Sequence, residues 1–425
     1  MIVTSPIAAL RPRSLPARVI GGRCDDLDVS LARARSRSDR LRIAFLIPLS
    51  GPAGLWGPSC QASATLAAQE VNAAGGILGR EIELVFADAG ADPELVAEDT
   101  LDLIAENRAE AVIGMHISAV RQALVRALRG RLPYVYTPVY EGGERSPGLF
   151  MVGETPARQL KPAIHWLAEH RRARRWYLIG NDYIWPHVSH RAARRYVKET
   201  GGEVLGVDYV PFGCEDHDDY LARIRKAQPD VVLVSMVGTD CVTFNRAFAA
   251  TGLARHMLRL SVASEENTLL GIGARQAENF YFTAGYLAVL DTPANQAFLD
   301  RYHGAFGRDA PMPNTIGQSC YEGIRLYTEL TRRAGALGVA DLSRVSDGLS
   351  YAGGRGRVTM RSHHLLSDIY LAQADGLKFK ILAHFPAPYA SQAAKALRCS
   401  SSLRIMLAVF STCAKAAFSV ASTTG

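Results

Sequence analysis

The sequence predicts an α/β protein of two doubly wound parallel-sheet lobes, and three observations predict it. From Arg42 onward, short apolar runs alternate with helix-length amphipathic segments, the pattern of βα units feeding parallel sheets. The alternation restarts after one round, giving two runs of about 120 residues each, which fits two similar lobes rather than one very large sheet. A chain of 425 residues that is 48% hydrophobic has the material for two or three cored domains.

The first strand is read at 42–49, Arg-Ile-Ala-Phe-Leu-Ile-Pro-Leu. A helix follows at 59–74 and stops at Gly75-Gly76, the ordinary signal just past a helix end. Residues 81–86 alternate in polarity as a strand does. Asp92-Pro93 opens a helix to about Asn107, with Asp as the cap and Pro in the first turn. Strand 111–115, helix 118–128 and strand 132–136 complete the first round. The second round reads as helix 157–170, strand 176–179, helix 189–200, strand 203–209, helix 218–226, strand 230–236, helix 239–251 and strands 257–262 and 279–284. Within it, Tyr183, Trp185 and Pro186 fall in the turn between strand 176–179 and helix 189–200. Small polar residues are the usual occupants of such a turn. Past Asp291-Thr292-Pro293 come helices at 293–307 and 314–335, then a strand-rich end at 357–385. The late helices lack partners in their own segment. They are expected to return to the first lobe, so that the chain crosses between lobes more than once.

Charge and cysteine usage narrow the function classes. The net charge is +7, but residues 1–40 carry +4 and residues 388–425 another +4, leaving −1 for residues 41–387. The body therefore lacks the concentrated basic face that direct nucleic-acid binding requires. Its one basic cluster, Arg171-Arg172-Ala-Arg174-Arg175, reads as a solvated helix C-terminus favoured by the dipole. The seven cysteines (Cys24, Cys60, Cys214, Cys241, Cys320, Cys399 and Cys413) form no C-x-x-C pair. Scattered thiols are expected rather than a zinc site or disulfide framework, with a Cys214–Cys241 bridge as the one pairing left open. No apolar run approaches the roughly 20 residues that span a bilayer. Residues 1–40 read as a disordered basic extension without the pattern of a secretory signal. Residues 388–425 read as a basic, Ser/Ala-rich tail.

In an open parallel sheet, ligands sit outside the carboxyl ends of the strands. The strand-end turns of the first lobe offer Trp56, His116, Ser118, Tyr136 and Pro138; those of the second offer Tyr183, Trp185, Gly238, Ser264 and Glu265. Hydroxyls and backbone N–H groups at these ends suit a small polar ligand, with aromatic faces to exclude water. Each residue also has a plainer reading. Ser118 and Ser264 could be helix caps, Glu265-Glu266 a favourable charge at a helix start, and Tyr183 and Trp185 loop packing. Catalytic signals are lacking: there is no Gly-x-Ser-x-Gly elbow or Walker loop, and Gly271-x-Gly273 is an incomplete dinucleotide fingerprint. His187-x-x-His190 and the run from Cys214 to Asp219 read as solvated surface rather than metal ligands. No enzymatic activity, cofactor or metal is expected.

These turns also resemble a known family. The order Arg-Ile-Ala-Phe-Leu-Ile-Pro-Leu-Ser-Gly (42–51), Asn-Ala-Ala-Gly-Gly-Ile-Leu-Gly-Arg (72–80), Tyr-Glu-Gly (140–142), Gly-Asn-Asp-Tyr-Ile-Trp-Pro (180–186) and Asp-Thr-Pro-Ala (291–294) is similar to the type I periplasmic-binding-protein family. The Gly-Gly-Ile-Leu-Gly motif marks the superfamily. Tyr-Glu-Gly and Asp-Tyr-x-x-Pro resemble the amide- and urea-binding branch, which includes receptors of branched-chain amino acid/amide ABC transporters and the sensor controlling aliphatic amidase expression. The resemblance covers residues 42–385. It implies lobes built from 41–153 plus 285–345 and from 154–284 plus 346–387, joined by a three-strand hinge and closing on a ligand. It further implies that Ser118 binds the ligand's carbonyl or carboxylate, that Tyr136 and Pro138 line the first-lobe wall, and that Tyr183 closes from the second lobe beside Trp185. Glu265 or Glu266 would accept N–H groups from an amide or ammonium. His116 stands where amide binders often show an aromatic, and Ala263 where a hydroxyl residue is expected. The implied function is the substrate-binding protein of an ABC importer for a small amide, urea or branched-chain amino acid. Its partner would be a permease and its place periplasmic or otherwise extracytoplasmic. The alternative is a cytoplasmic amide-sensing regulator acting through a partner protein, which the missing signal pattern would favour.

Overall fold

The computed structural model describes residues 40–388. The expected extension at 1–40 and tail at 388–425, with Cys24, Cys399 and Cys413, lie outside the described residues but for Arg40 and Pro388. The chain begins with β1 (Arg40–Ile47), a 3₁₀ turn (Pro52–Trp56), α1 (Gly57–Ala73), β2 (Glu81–Asp88), α2 (Pro93–Ala105), β3 (Ala111–Gly114), α3 (Ser118–Leu128), β4 (Tyr134–Tyr136) and β5 (Leu149–Met151). It continues through α4 (Leu160–His170), β6 (Arg175–Asn181), α5 (Ile184–Glu199), β7 (Glu203–Val210), α6 (Asp218–Ala227), β8 (Val231–Ser235), α7 (Gly238–Ala250), β9 (Leu258–Ser261), α8 (Glu266–Ile272) and β10 (Phe280–Ala284). Helices α9 (Pro293–Phe306), α10 (Thr315–Ala334) and α11 (Val339–Ser346) follow. Then come β11 (Ser350–Gly353), β12 (Gly356–Arg361), β13 (His364–Leu366), β14 (Ile369–Asp375) and β15 (Lys378–Phe385).

Two sheets result, ordered β11-β12-β13-β5-β4-β3-β1-β2 and β15-β14-β10-β9-β8-β6-β7. The strands of each βα run pair in parallel, as the alternation of strand and helix requires. β1 shows why they read as unbroken apolar runs. Leu41, Ile43, Phe45 and Ile47 face one core, while Ala44 and Leu46 face a second core on the opposite side of the sheet. A strand covered on both faces has no polar side to alternate with. The core on one side of the first sheet is continuous with that on one side of the second. The outer face of the second sheet has its own core under α6 and α7, around Ile224 and Phe244.

Side-chain caps set several helix starts. Asp92 caps α2 by accepting from the backbone N–H groups of Glu94 and Leu95. Thr292 and Asn314 cap α9 and α10 in the same way. One expected boundary is corrected. The helix read at 189–200 begins at Ile184, so Trp185 and Pro186 lie in its first turn and only Asp182 and Tyr183 form the connection from β6. Proline is compatible with that position because first-turn N–H groups have no intrahelical partner.

The late helices do return to the first lobe, where α10 packs along α1. The lobe limits read from the sequence need one change. Residues 346–387 were expected in the second lobe, yet β11 to β13 extend the first sheet through the pairing of His364 with Met151. Only β14 and β15 join the second sheet, through the antiparallel pairing of β14 with β10. The chain therefore crosses between sheets after β5, after β10 and after β13. These crossings meet at Gly285. Its N–H donates to Glu154 Oε1 at 2.9 Å, and Arg355 Nη1 donates to the same oxygen at 2.7 Å. A Cβ on Gly285 would lie 2.2 Å from Glu154 Oε1 and 2.9 Å from Ser367 Oγ, so a side chain there would have to push the Glu154 carboxylate off its partners. The Arg355–Glu154 pair is almost fully buried and is supported by the Gln318 side chain and the Thr315 carbonyl, as a buried ion pair must be.

Candidate functional site

Strands β1, β3 and β4 of the first sheet end facing the ends of β6, β8 and β9 of the second. Seven of the ten sequence-predicted site residues come together there: Trp56, His116, Ser118, Tyr136 and Pro138 from the first lobe, Tyr183 and Trp185 from the second. With Ile316, delivered by α10, they help enclose a cavity of about 30 Å³. That is room for only a few non-hydrogen atoms, since a single water occupies roughly 10–15 Å³ on this measure. The lobes are closed on each other.

The first-lobe wall is a hydrogen-bonded network. The Tyr136 hydroxyl donates to the His116 carbonyl at 2.8 Å, and the Tyr134 hydroxyl lies 3.0 Å from His116 Nε2. Burial drives the His116 pKa down to about 3, with the nearby Arg121 adding to the shift. The ring is therefore neutral at physiological pH. Ser118 opens α3, and its hydroxyl donates to Glu141 Oε2 at 2.7 Å. Arg121, one turn along α3, forks onto Glu141 at 2.5 Å and reaches Glu144 at 3.3 Å. Its guanidinium also lies over the Tyr136 and Tyr140 rings, 5.2 Å from each centroid. Burial opposes the Arg121 charge, but Tyr136 and the Glu141 carboxylate hold its pKa above the ordinary arginine value. Arg121 and Glu141 were not among the sequence-predicted site residues. The available signal was an arginine on the same face of α3 as Val120 and Leu124, where a charge needs a partner.

The second-lobe wall is drier. The Trp185 and Tyr183 rings lie 6.2 Å apart, and Tyr183 packs against Phe212 at 5.1 Å. Val237 and Ala263 complete this side. The other three predicted residues stand behind the wall. A Cβ on Gly238 would come 2.0 Å from the Pro52 carbonyl oxygen, so Gly238 lies against the first lobe and does not line the cavity. The Ser264 hydroxyl lies 2.6 Å from Ser261 Oγ and 2.8 Å from Cys241 Sγ. Glu265 caps α8, accepting from the N–H groups of Asn267 and Thr268 and from the Thr268 hydroxyl. Its Oε1 also accepts from Trp56 Nε1 of the first lobe at 2.7 Å. Glu265, expected as an acceptor for ligand N–H groups, is thus engaged with its own helix and with the opposite lobe. Glu266, the other candidate acceptor, takes the Ala288 N–H at 2.7 Å. Burial, and then the neighbouring Glu265, push its pKa up to about 8.

The remaining sequence candidates take structural roles, and His190 and His217 are buried rather than on the solvated surface expected of them. His187 pairs with Asp182 and stacks on Tyr209, while His190 lies 3.1 Å from Ser235 Oγ. Cys214 and Cys241 are free thiols, so the bridge between them does not form. Among the described residues no helix is long and apolar enough to cross a membrane.

Against this geometry stand the comparisons with known proteins. A family model described as "Periplasmic binding protein" matches residues 40–378. The Leu/Ile/Val-binding protein homolog 4 of Brucella abortus is 22% identical over 352 residues, covering 79% of this chain and 83% of that protein. Among solved structures, the isoleucine complex of the branched-chain amino acid transporter substrate-binding protein from Streptococcus pneumoniae aligns with a TM-score of 0.71 at 21% identity, over 82% of this chain and all of that one (100%). An ABC-transporter solute-binding protein of Rhodopseudomonas palustris in complex with p-hydroxybenzoic acid aligns with a TM-score of 0.74 at 19% identity, over 82% and 97%.

Proposed function

The chain belongs to the periplasmic binding protein family, and from that premise we propose that it holds a small uncharged amide, of the size of acetamide or urea, in the interlobe cleft and presents it to the permease of an ABC importer. The observation that carries the amide reading is the charge inventory of the cleft: no residue lining it is ionised at neutral pH. The carboxylates just behind its walls, Glu141 and Glu265, already have their donors. A zwitterionic amino acid enclosed there would leave its ammonium without an ionised partner, at a cost of several kcal/mol. An amide needs only hydroxyl and backbone partners: the Ser118 and Tyr136 hydroxyls, whose protons go to Glu141 and to the His116 carbonyl, remain acceptors for its N–H groups, and Tyr183 lines the cavity with them. The small cavity supports the same reading, because leucine would require the lobes to stand further apart.

A second reading rests on one distance. Arg121 Nη1 lies 3.2 Å from Ser118 Oγ, so a ligand carboxylate that displaced Glu141 from Ser118 would meet a cation. This would suit acids like those in the two neighbours named above. A sensing role through a partner protein would use the same pocket and hinge. Import is preferred because those neighbours are transport receptors.

Thermal unfolding of the full chain with acetamide, urea, leucine and benzoate separates the readings. A ligand at 100 times its dissociation constant stabilises by about 2.7 kcal/mol. Stabilisation by an amide and not by leucine or benzoate is the expected result. Stabilisation by leucine or benzoate alone would sink the amide reading in favour of the carboxylate one.

A further inference from the structure

A second cavity, of about 570 Å³, opens on the hinge side of the cleft and shares no lining residue with the first. Its volume falls in the range of ligand sites, roughly 300–1,000 Å³. The first lobe supplies Tyr140, Glu141 and His364 to its wall, the crossings supply Glu154 and Ser367, and α5 of the second lobe supplies the opposite side.

Helix α5 turns Val188, Arg191, Ala192 and Arg195 into this space, residues three and four apart on one helical face. Arg191 and Arg195 are one turn apart, an arrangement of like charges that weakens a helix unless an anion lies nearby. Neither has a carboxylate partner among the described residues. Arg195 Nη2 donates to the Tyr196 hydroxyl at 3.2 Å, and its guanidinium lies 5.0 Å from that ring's centroid. The two carboxylates in the cavity wall are already neutralised: Glu141 by Arg121, Glu154 by Arg355. A third arginine in the wall, Arg158, is engaged with the Ser367 and Pro386 carbonyls. Much of the remaining surface is apolar, with Pro156, Leu365 and Ile369 beside Val188 and Ala192.

Two arginines facing an apolar chamber fit an anion with a hydrocarbon body. We propose that this cavity is a second binding site, for an organic monocarboxylate, bridging the two lobes beside the hinge. The carboxylate lies between Arg191 and Arg195, and the hydrocarbon lies against the apolar wall. Opening the hinge would draw α5 away from the Tyr140–His364 wall. An occupant that touches both sides therefore favours the closed arrangement.

Hexanoate is the probe, titrated calorimetrically into the full chain, with hexanamide as the uncharged control. The same titrations are made on the double variant Arg191→Ala/Arg195→Ala and on Tyr183→Ala, which alters the first cavity only. Arg191 and Arg195 are exposed, so the double variant should keep its circular dichroism and unfolding midpoint. Expected are hexanoate binding that weakens roughly tenfold or more in the arginine variant, binding that persists in Tyr183→Ala, and a clear preference over hexanamide. The proposal is overturned by any of four results: no hexanoate binding to the parent chain, equal binding of hexanoate and hexanamide, unchanged affinity in the arginine variant, or loss confined to Tyr183→Ala.

Discussion

The two walls of the cleft are built from the same kind of strand-end turn and carry opposite chemistry. In the first lobe, polar groups reach the cavity surface and are tied together there: His116 to Tyr134, Ser118 to Glu141, Glu141 to Arg121. In the second, the polar groups sit one layer back. Asn181 and Asp240 bond each other, Ser264 bonds Ser261, and Glu265 caps its helix. The cavity sees Tyr183, Trp185, Val237 and Ala263 instead. The difference assigns the lobes different tasks in our reading. A fixed polar surface orients a ligand, and a dry aromatic surface covers it and excludes water. The Trp56 to Glu265 bond, which crosses near the cavity, then joins the lobes to each other rather than to a ligand.

The largest expected effect comes from breaking the first-lobe network. Arg121 has a side chain only 3% exposed and balances Glu141 and Glu144. Arg121→Ala would leave buried carboxylates uncompensated and should lower stability by about 3–5 kcal/mol in urea unfolding. A loss under about 1 kcal/mol, the worth of a surface pair, would mean that the wall is not organised by this ion pair. Next in size is the link between lobes. Trp56→Phe keeps an aromatic ring and removes the N–H that Glu265 accepts, at a cost of about 1.5–3 kcal/mol to the closed form. Weaker acetamide binding and a more open solution-scattering profile are expected. If both stay as in the parent chain, the bond does not contribute to closure. Smaller again is Tyr183→Ala. Removing part of the cover should weaken acetamide binding about tenfold, or 1.4 kcal/mol, with the unfolding midpoint little changed. A large drop in stability with unaltered affinity would make Tyr183 a core residue and remove the asymmetry.

How legible this asymmetry was in the sequence depends on the residue. Buried parallel strands such as Val231–Ser235 announce themselves as apolar runs, so the order of βα units could be read directly. The turns at their ends could be read too, because ligands in such sheets gather there. The start of α5 could not, since Pro186 beside two aromatics reads as a turn unless its place in the first helical turn is known. Strands β11 to β13 show a period of two but nothing that says which sheet they join; a single pairing, His364 with Met151, decides it. Arg121 was missed because a charge on an amphipathic helix ordinarily marks its solvent face. Glu265 was over-read for the opposite reason. A carboxylate at a helix start satisfies N–H groups of its own helix before any ligand arrives.

The lobes should also differ in their pH dependence, where they pull in opposite directions. His116 in the first lobe has its pKa lowered to about 3 by burial. The folded protein resists its protonation, so the stability tied to it is complete above the unfolded value near 6.5 and is lost as pH falls from there. Glu266, behind the second-lobe wall, has its pKa raised to about 8, again by burial. Folding favours its protonated form, so the stability tied to it is complete below about 4.5 and is lost as pH rises toward 8. Each contributes at most about 1.4 kcal/mol per pH unit. Urea unfolding between pH 5 and pH 8 tests the pair. His116→Phe should flatten the acid side of the stability profile, and Glu266→Gln the alkaline side. Other buried histidines, such as His190 with its pKa also near 3, leave a residual acid slope in both variants, so the comparison is between slopes rather than absolute stabilities. If Glu266→Gln leaves the alkaline slope unaltered, Glu266 is ionised and solvated, and the second lobe is not the drier of the two.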